Sequence, residues 1–169
     1  MTTTIEIEIL EAIQSQLESA YPHEACGFIL GHEHKGKRRI TKSIEVENIS
    51  TENQRRRFII DPLDYMKVEK LALKEGLSLL GIYHSHPDHP AIPSIHDLEF
   101  AQPYFSYFIH SINSGKLTDT RSYRLQNGKF VEENLSVTEN KNSVAPDAII
   151  IKTIADRTQQ LPLSGGGGV

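Results

Sequence analysis

The segment Leu77–Tyr83 restricts the fold more than any other part of the sequence, because it is almost wholly apolar. Runs of this kind are typical of central β-strands that are covered on both faces. A strand covered on both faces requires other elements on each side of its sheet. We therefore predict that this segment forms an interior strand.

Two helices are predicted around this strand. Apolar residues follow a helical spacing over Ile5–Ala20, and Thr3 with Glu6 resembles a capping box at its start. The second helix is expected to begin at Asp61-Pro62, a cap residue followed by a proline in the first turn. Gly76 is the expected end of this second helix.

Several further segments read as strands, and Asn127-Gly128 is typical of a two-residue hairpin turn. The segments are Cys26–Gly31, Arg39–Ile49, Phe58–Ile60, Tyr107–Ile112 and Thr120–Leu125. His32–Lys37 reads as a polar turn. Because helices and strands alternate, the predicted class is α/β with a mixed sheet.

The chain of 169 residues is long enough for one domain with a proper core. The pattern weakens after Ser136, so we predict one domain over residues 1–135 and a C-terminal tail over 136–169. The tail is expected to be partly extended, with a glycine-rich end in Leu161–Val169. That end is interpreted as a flexible terminus. The alternative hypothesis is that it enters an active site, of its own chain or a neighbour's, as product or inhibitor.

Charge and cysteine content exclude several classes of protein. With Cys26 as its single cysteine, the chain can form neither an internal disulfide nor a Cys-rich zinc site, so any metal must be held by His, Asp or Glu. A net charge of −4 gives no support to general nucleic-acid binding. Because we find neither a membrane-length apolar run nor a secretory signal, we expect a cytoplasmic protein that binds no membrane.

His84 and His86 stand two residues apart, directly after the apolar run. Alternate residues of a strand share a face, so both imidazoles can reach one zinc ion at about 2.0–2.1 Å. Asp97 is the expected third ligand, because the proline-rich loop before it can fold back over the strand end. Three protein ligands with one open position are typical of a catalytic zinc site.

Each part of this pattern also has a structural explanation when it is taken singly. Ser94 and Asp97 resemble a helix capping box. A second His-x-His pair, His32 and His34, lies in a polar segment and is interpreted as solvated surface. The combination of residues at fixed spacing is what predicts a metal site.

That combination resembles the signature of the JAMM/MPN metallopeptidases. The residues concerned are His84–Pro87, followed by Ser94 and then Asp97. The upstream segment Pro22–Gly27 resembles the glutamate motif of the same family. The resemblance covers most of the chain, roughly residues 5–134.

The resemblance implies a single JAMM/MPN-type α/β domain whose mixed, curved sheet is flanked by helices, similar to the cytidine-deaminase-like architecture. It also implies a Zn²⁺ ion held by His84, His86 and Asp97. Glu24 would then be the general acid/base, and the Ser94 hydroxyl would help to stabilise the oxyanion.

Within the family, the sequence is most similar to short stand-alone prokaryotic members, which resemble enzymes that process sulfur-carrier proteins. We expect a zinc peptidase that hydrolyses the bond after the C-terminal Gly-Gly of a small ubiquitin-like or sulfur-carrier partner. One alternative is a deubiquitinase-like isopeptidase that removes a ubiquitin-like modifier from protein targets. Another is a non-catalytic, zinc-bound MPN interaction module. The oligomeric state is left open.

Other residues near these motifs receive structural interpretations. His89 and His96 are interpreted as exposed loop histidines, and Cys26 as a small apolar residue of a buried strand. Ser85 is expected to face away from the ligands and to have a structural role. Arg55–Arg57 is interpreted as a solvated strand end.

Overall fold

Seven strands and three helices form the part of the chain that the computed structural model describes, residues 1–139. The strands are β1 Thr2–Glu6, β2 Cys26–His34, β3 Lys37–Val46, β4 Ser78–Pro87, β5 Ser106–Asn113, β6 Lys116–Gln126 and β7 Lys129–Thr138. The helices are α1 Ile7–Ala20, α2 Pro62–Glu75 and α3 Ile95–Glu99. The predictions made for residues 140–169, including the hypothesis about the glycine-rich end, lie outside the described residues.

The strands form one sheet in the order β1-β3-β2-β4-β5-β6-β7, and this sheet closes into a barrel through the pairing of β7 with β1. β1 runs parallel to both β3 and β7, and β4 runs parallel to β5. The other neighbouring strands are antiparallel. The predicted α/β class with a mixed, curved sheet is therefore confirmed, with curvature that continues to closure.

The predicted interior strand is β4, which is buried from Leu80 onward. Its two faces contribute to different apolar clusters. Tyr83 belongs to the cluster that receives the buried residues of α1, and its neighbour Ile82 to the cluster that receives those of α2. Burial of each such side chain stabilises the fold by about 1.5–3 kcal/mol. The two helices thus cover the strand that carries the predicted histidine ligands.

The predicted start of the first helix is wrong. The helix begins at Ile7, and Glu6 precedes it without a side-chain cap. Residues 2–6 instead form β1, whose Ile5 is fully buried in the core. The Thr3 hydroxyl donates a hydrogen bond to Glu133 rather than capping a helix. Pairing with two distant strands outweighs the local capping pattern here.

The second helix and the last hairpin follow the prediction. The Asp61 side chain accepts a hydrogen bond from the Leu63 amide, and the helix ends at Gly76 in a left-handed conformation with φ 68°. Such a conformation suits glycine, which has no Cβ. Asn127 and Gly128 both have positive φ, of 49° and 73°, as a type I′ hairpin turn requires.

Several predicted boundaries require correction. β2 continues to His34, so the turn at its end is shorter than the predicted one. Phe58–Ile60 is not a strand. β4 continues through Pro87 and therefore contains both histidines. β7 continues through Thr138, beyond the predicted domain boundary at residue 135, because its last residue pairs with β1.

Within residues 1–139, no helix is both long enough and apolar enough to cross a membrane.

Candidate metal centre

The site lies near the C-terminal end of β4, where His84 and His86 point to the same side of the strand. His84 pairs with Cys26 of β2 on one side and with Ile109 of β5 on the other. The side chain of His84 is fully buried, and that of His86 is nearly so. The alternation expected from the sequence therefore brings both imidazoles to one place.

Asp97 completes a compact triangle of ligand atoms. The Nε2 atoms of His84 and His86 are 3.1 Å apart. His84 Nε2 lies 3.1 Å from one carboxylate oxygen of Asp97, and His86 Nε2 lies 3.4 Å from the other. Ligands at about 2.0–2.1 Å from a tetrahedral zinc ion are themselves about 3.3–3.4 Å apart. The triangle thus matches the size of a zinc site.

The chemistry of the two histidines also fits a metal ion. The Nδ1–H of His86 donates to the Pro90 carbonyl, 2.8 Å away. Since a carbonyl can only accept, Nδ1 must carry the proton, and in the neutral ring Nε2 presents a lone pair. Two ring nitrogens and the carboxylate oxygens of Asp97 converge within 3.1–3.4 Å of one another. A cation at their centre would be bound by the lone pairs of these atoms.

A capping box holds Asp97 in position. Ser94 precedes α3, and its hydroxyl oxygen accepts a hydrogen bond from the Asp97 amide at 3.1 Å. The Ser94 amide in turn donates to Asp97 Oδ2 at 2.6 Å. The structural explanation of Ser94-x-x-Asp97 is therefore confirmed, and the same cap fixes the carboxylate that faces the histidines.

Burial and the neighbouring charges set the ionisation of this triad. Burial works against an ionised Asp97, but the adjacent His84 and His86 hold the pKa of its carboxyl well below the usual range. Burial lowers the pKa of His84. Burial also opposes the protonation of His86, but hydrogen bonds to Asp97 and Pro90 raise its pKa overall. The triad therefore offers a carboxylate anion and imidazoles, which are hard and borderline donors of the kind zinc binds.

Glu24 lies just before β2 and is 6% exposed. Burial raises its pKa to about 8, and the residue lines the same cavity as Asp97. Residues with pKa values moved toward neutrality in a cleft are typical of acid–base groups.

Ser85 joins the main chain around Glu24 to β4, the strand that carries His84 and His86. The Ala25 amide donates to the Ser85 hydroxyl at 3.0 Å, and the Ser85 amide donates to the Ala25 carbonyl at 3.0 Å. Ser85 points away from the two histidines, as predicted, and its structural role is specific. It ties the segment that carries Glu24 to the strand that carries His84 and His86.

A cavity of about 1040 Å³ opens beside the triad, and both Glu24 and Asp97 line it. Its walls come from the segment between β3 and α2, from α2 itself and from the segment between α3 and β5. The aromatic residues in these walls are Phe58, Tyr65, Phe100, Tyr104, Phe105 and Tyr107. The cavity is thus a largely apolar groove that also contains the acidic side chains of Glu24 and Asp97.

The other residues considered from the sequence lie near the site, in the core or on the surface. His96 lines the cavity, and the His89 ring centre lies 6.5 Å from that of His86. Cys26 is buried in the core, and burial raises its pKa to about 12. Both members of the second His-x-His pair are exposed, as predicted.

Arg55–Arg57 is exposed, as predicted, but it does not end a strand. It belongs to a segment without regular structure, and Arg56 and Arg57 line the cavity. Sequence reasoning also missed Phe58, whose ring stacks on His84 with centres 4.5 Å apart. It missed Asn48 too, which bonds to the main chain of Glu24. The sequence signal for this cavity wall was the basic triplet Arg55–Arg57 followed directly by the aromatic Phe58.

Comparison with known proteins gives consistent similarities. The family model described as prokaryotic homologs of the JAB domain matches residues 6–126, a range that includes all five predicted site residues. The probable TtuB-protein conjugate cleaving protease of Thermus thermophilus is 32% identical over 73% of this chain and 76% of its own. The CysO-cysteine peptidase of Mycobacterium tuberculosis is 29% identical over 80% of this chain and 90% of its own. The solution structure of a protein from Desulfitobacterium hafniense superposes with a TM-score of 0.74 at 27% identity, over 83% of this chain and 95% of that one.

Proposed function

Because the chain belongs to the family of prokaryotic JAB-domain homologs, we propose that it is a zinc peptidase that hydrolyses the bond after the C-terminal Gly-Gly of a small ubiquitin-like or sulfur-carrier protein. The observation that carries this proposal is that a buried carboxylic acid, Glu24, lines the same cavity as Asp97, which belongs to a triad sized for zinc. The similar proteins that bear names are a protease and a peptidase, which supports the hydrolytic class.

His84, His86 and Asp97 would hold the metal, with a position left open for water or substrate. Zinc in such a site lowers the pKa of water to about 7 and acts as a Lewis acid toward a carbonyl group. The protein contributes the orientation of each donor. The Pro90 carbonyl orients His86, and the Ser94 cap orients Asp97.

Glu24 is the proposed general acid/base. It would take a proton from the attacking water and later deliver that proton to the leaving amine. Burial raises the pKa of its carboxyl to about 8, so the group can both hold and release a proton near neutral pH. The hydrogen bond from Ala25 to Ser85 keeps this carboxyl at a fixed position relative to β4, which carries the two histidines.

Ser94 is the proposed donor to the oxyanion. Its oxygen accepts the cap hydrogen bond from Asp97, and its hydroxyl proton is still free to be donated. Removal of one oxyanion donor typically raises the barrier by about 2.7–4 kcal/mol. In this proposal one hydroxyl serves both the helix cap and the transition state.

The cavity supports an extended protein tail as the substrate. Glycine lacks a side chain and permits close approach of a peptide to the metal ligands, whereas the aromatic walls suit the apolar residues before it. Arg56 and Arg57 add positive charge to the same cavity, which would favour an acidic partner. Similarity to a TtuB-conjugate protease and to a CysO-cysteine peptidase supports a carrier-protein substrate.

An isopeptidase that removes a modifier from lysine side chains is the second candidate, because one relative is named for the cleavage of protein conjugates. The same residues would serve both reactions. A non-catalytic module is disfavoured, because the chain has all three ligand residues together with Glu24.

A paired assay tests the proposal. One substrate is a Gly-Gly-tailed carrier with a single amino acid in ordinary peptide linkage, and the other is the same carrier joined to a lysine side chain. We expect cleavage of the first at the higher kcat/KM, and a sharp decrease when both glycines are replaced by alanine. Preference for the second substrate would favour the isopeptidase. Unchanged rates with the alanine tail would contradict the proposed specificity.

A further inference from the structure

Asn48 lies two residues after the end of β3, and its carboxamide makes four hydrogen bonds. Its nitrogen donates to the carbonyl oxygens of Glu24 and Arg57, each at 3.0 Å. Its oxygen accepts from the amides of Ser50 at 3.1 Å and Ile59 at 3.0 Å. Two donated and two accepted bonds are the full capacity of a carboxamide.

The segment 48–59, which we call the Asn48 loop, has no helix or strand to satisfy its main chain. It closes on itself instead. The Ile49 amide donates to the Ile59 carbonyl at 3.0 Å, and the Gln54 side chain donates to the Ser50 carbonyl at 2.8 Å. The Asn48 carboxamide also bridges the two ends of the loop, so its loss would leave the Ile49–Ile59 main-chain bond to hold them together.

The loop also holds the main chain of Glu24 at both its amide and its carbonyl group. The Glu24 amide donates to the Gln54 carbonyl at 2.7 Å, and the Glu24 carbonyl accepts from Asn48. The next residue, Ala25, is bonded to Ser85 on the ligand strand. The position of Glu24 relative to the histidines therefore depends on two attachments, the Asn48 loop and Ser85.

We propose that Asn48 is a positioning residue that sets the place of Glu24 through the main chain. This inference rests on the proposed role of Glu24 as general acid/base. The same loop carries Arg56, Arg57 and Phe58, which line the cavity. Asn48 thus joins the cavity wall that a substrate would touch to the residue that would move protons.

The test compares Asn48→Asp, Asn48→Ala and a matched control. Asn48→Asp keeps the acceptor oxygen but places a carboxylate oxygen against two carbonyl oxygens, whereas Asn48→Ala removes the side chain without adding charge. The control is Asn113→Asp, because Asn113 is exposed at the end of β5 and its carboxamide donates to Thr118. Measurements are kcat and KM on a Gly-Gly-tailed carrier, zinc content and Tm.

We expect both Asn48 variants to keep about one zinc per chain, and we expect the fall in kcat to exceed any rise in KM. A small misplacement of a catalytic group lowers the rate by up to about 100-fold, so kcat should fall by roughly 10- to 100-fold. Asn113→Asp should match the wild type in all measurements. Loss of folding in both Asn48 variants, or kcat unchanged in a folded one, would overturn the inference.

A double variant separates positioning from general destabilisation. If Asn48 acts through Glu24, Asn48→Ala should lower kcat no further in a Glu24→Gln background, so the two effects should not add. A further 10-fold loss in that background would overturn the inference while leaving the function in place. Near-normal turnover of Glu24→Gln alone would instead contradict the proposed function itself.

Discussion

Replacement of Glu24 by glutamine should stabilise the metal-free protein, and the stabilisation should grow with pH. Burial raises the pKa of Glu24 from 4.5 to about 8 in the folded state. Below pH 4.5 the carboxyl is neutral in both folded and unfolded chains, so it brings no difference. Between pH 4.5 and about 8 the unfolded chain ionises while the folded chain stays protonated. The free energy of unfolding therefore falls as the pH rises through this window.

The size of the effect follows from that window. Each pH unit lowers the free energy of unfolding by about 1.4 kcal/mol, so the loss is roughly 3 kcal/mol at pH 7. Above pH 8 it levels off at roughly 5 kcal/mol. Glutamine does not titrate and avoids this loss. At about 2–4 °C per kcal/mol, Glu24→Gln should raise Tm at pH 7 by roughly 6–12 °C relative to its effect near pH 4.

Thermal and denaturant unfolding of chelator-treated protein between pH 4 and 9 measures this difference. Glu69→Gln is the control, because Glu69 is an exposed residue of α2. Bound zinc should reduce the difference in the free energy of unfolding between Glu24→Gln and the wild type at pH 7, since a nearby cation favours the ionised carboxylate. The reasoning would be refuted if the difference in unfolding free energy between Glu24→Gln and the wild type stayed constant over the whole pH range.

Two further predictions concern the metal ligands and Ser94. The double variant His84→Ala, His86→Ala should lose bound zinc by elemental analysis, because only Asp97 of the triad remains; full zinc occupancy would contradict the ligand assignment. Ser94→Ala should lower kcat about 10²–10³-fold through loss of an oxyanion donor. Ser94→Asp, which keeps a capping oxygen but supplies no hydroxyl, should lose as much turnover while retaining the helix cap. If that variant restored turnover, Ser94 would have only its structural role in the helix cap.

The sequence predicted those features that depend on local pattern. Leu77–Tyr83 is apolar because both of its faces are covered, and His84 and His86 share a face because β4 continues through them. Asp97 could be placed because its cap with Ser94 is a short-range device. The parts of the site built by one strand and one helical turn were therefore accessible from spacing alone.

Features that depend on distant partners were not accessible in this way. Thr2–Glu6 has a capping pattern but forms a strand, because residues 37–40 and 134–138 pair with it. Asn48 gives no signal in the sequence, because its partners are main-chain groups that only the folded loop brings together. Periodicity describes which face a residue occupies, but it does not describe which backbone group that residue will meet.

The most direct test of the central claim measures zinc content and turnover together for the wild type and Glu24→Gln. The substrate is a carrier protein whose Gly-Gly end is followed by one amino acid, and release of that amino acid is followed by mass spectrometry. We predict about one zinc per chain in both proteins, cleavage after the second glycine by the wild type, and loss of most turnover in Glu24→Gln. Loss of zinc from Glu24→Gln, or cleavage by it at the wild-type rate, would contradict the account.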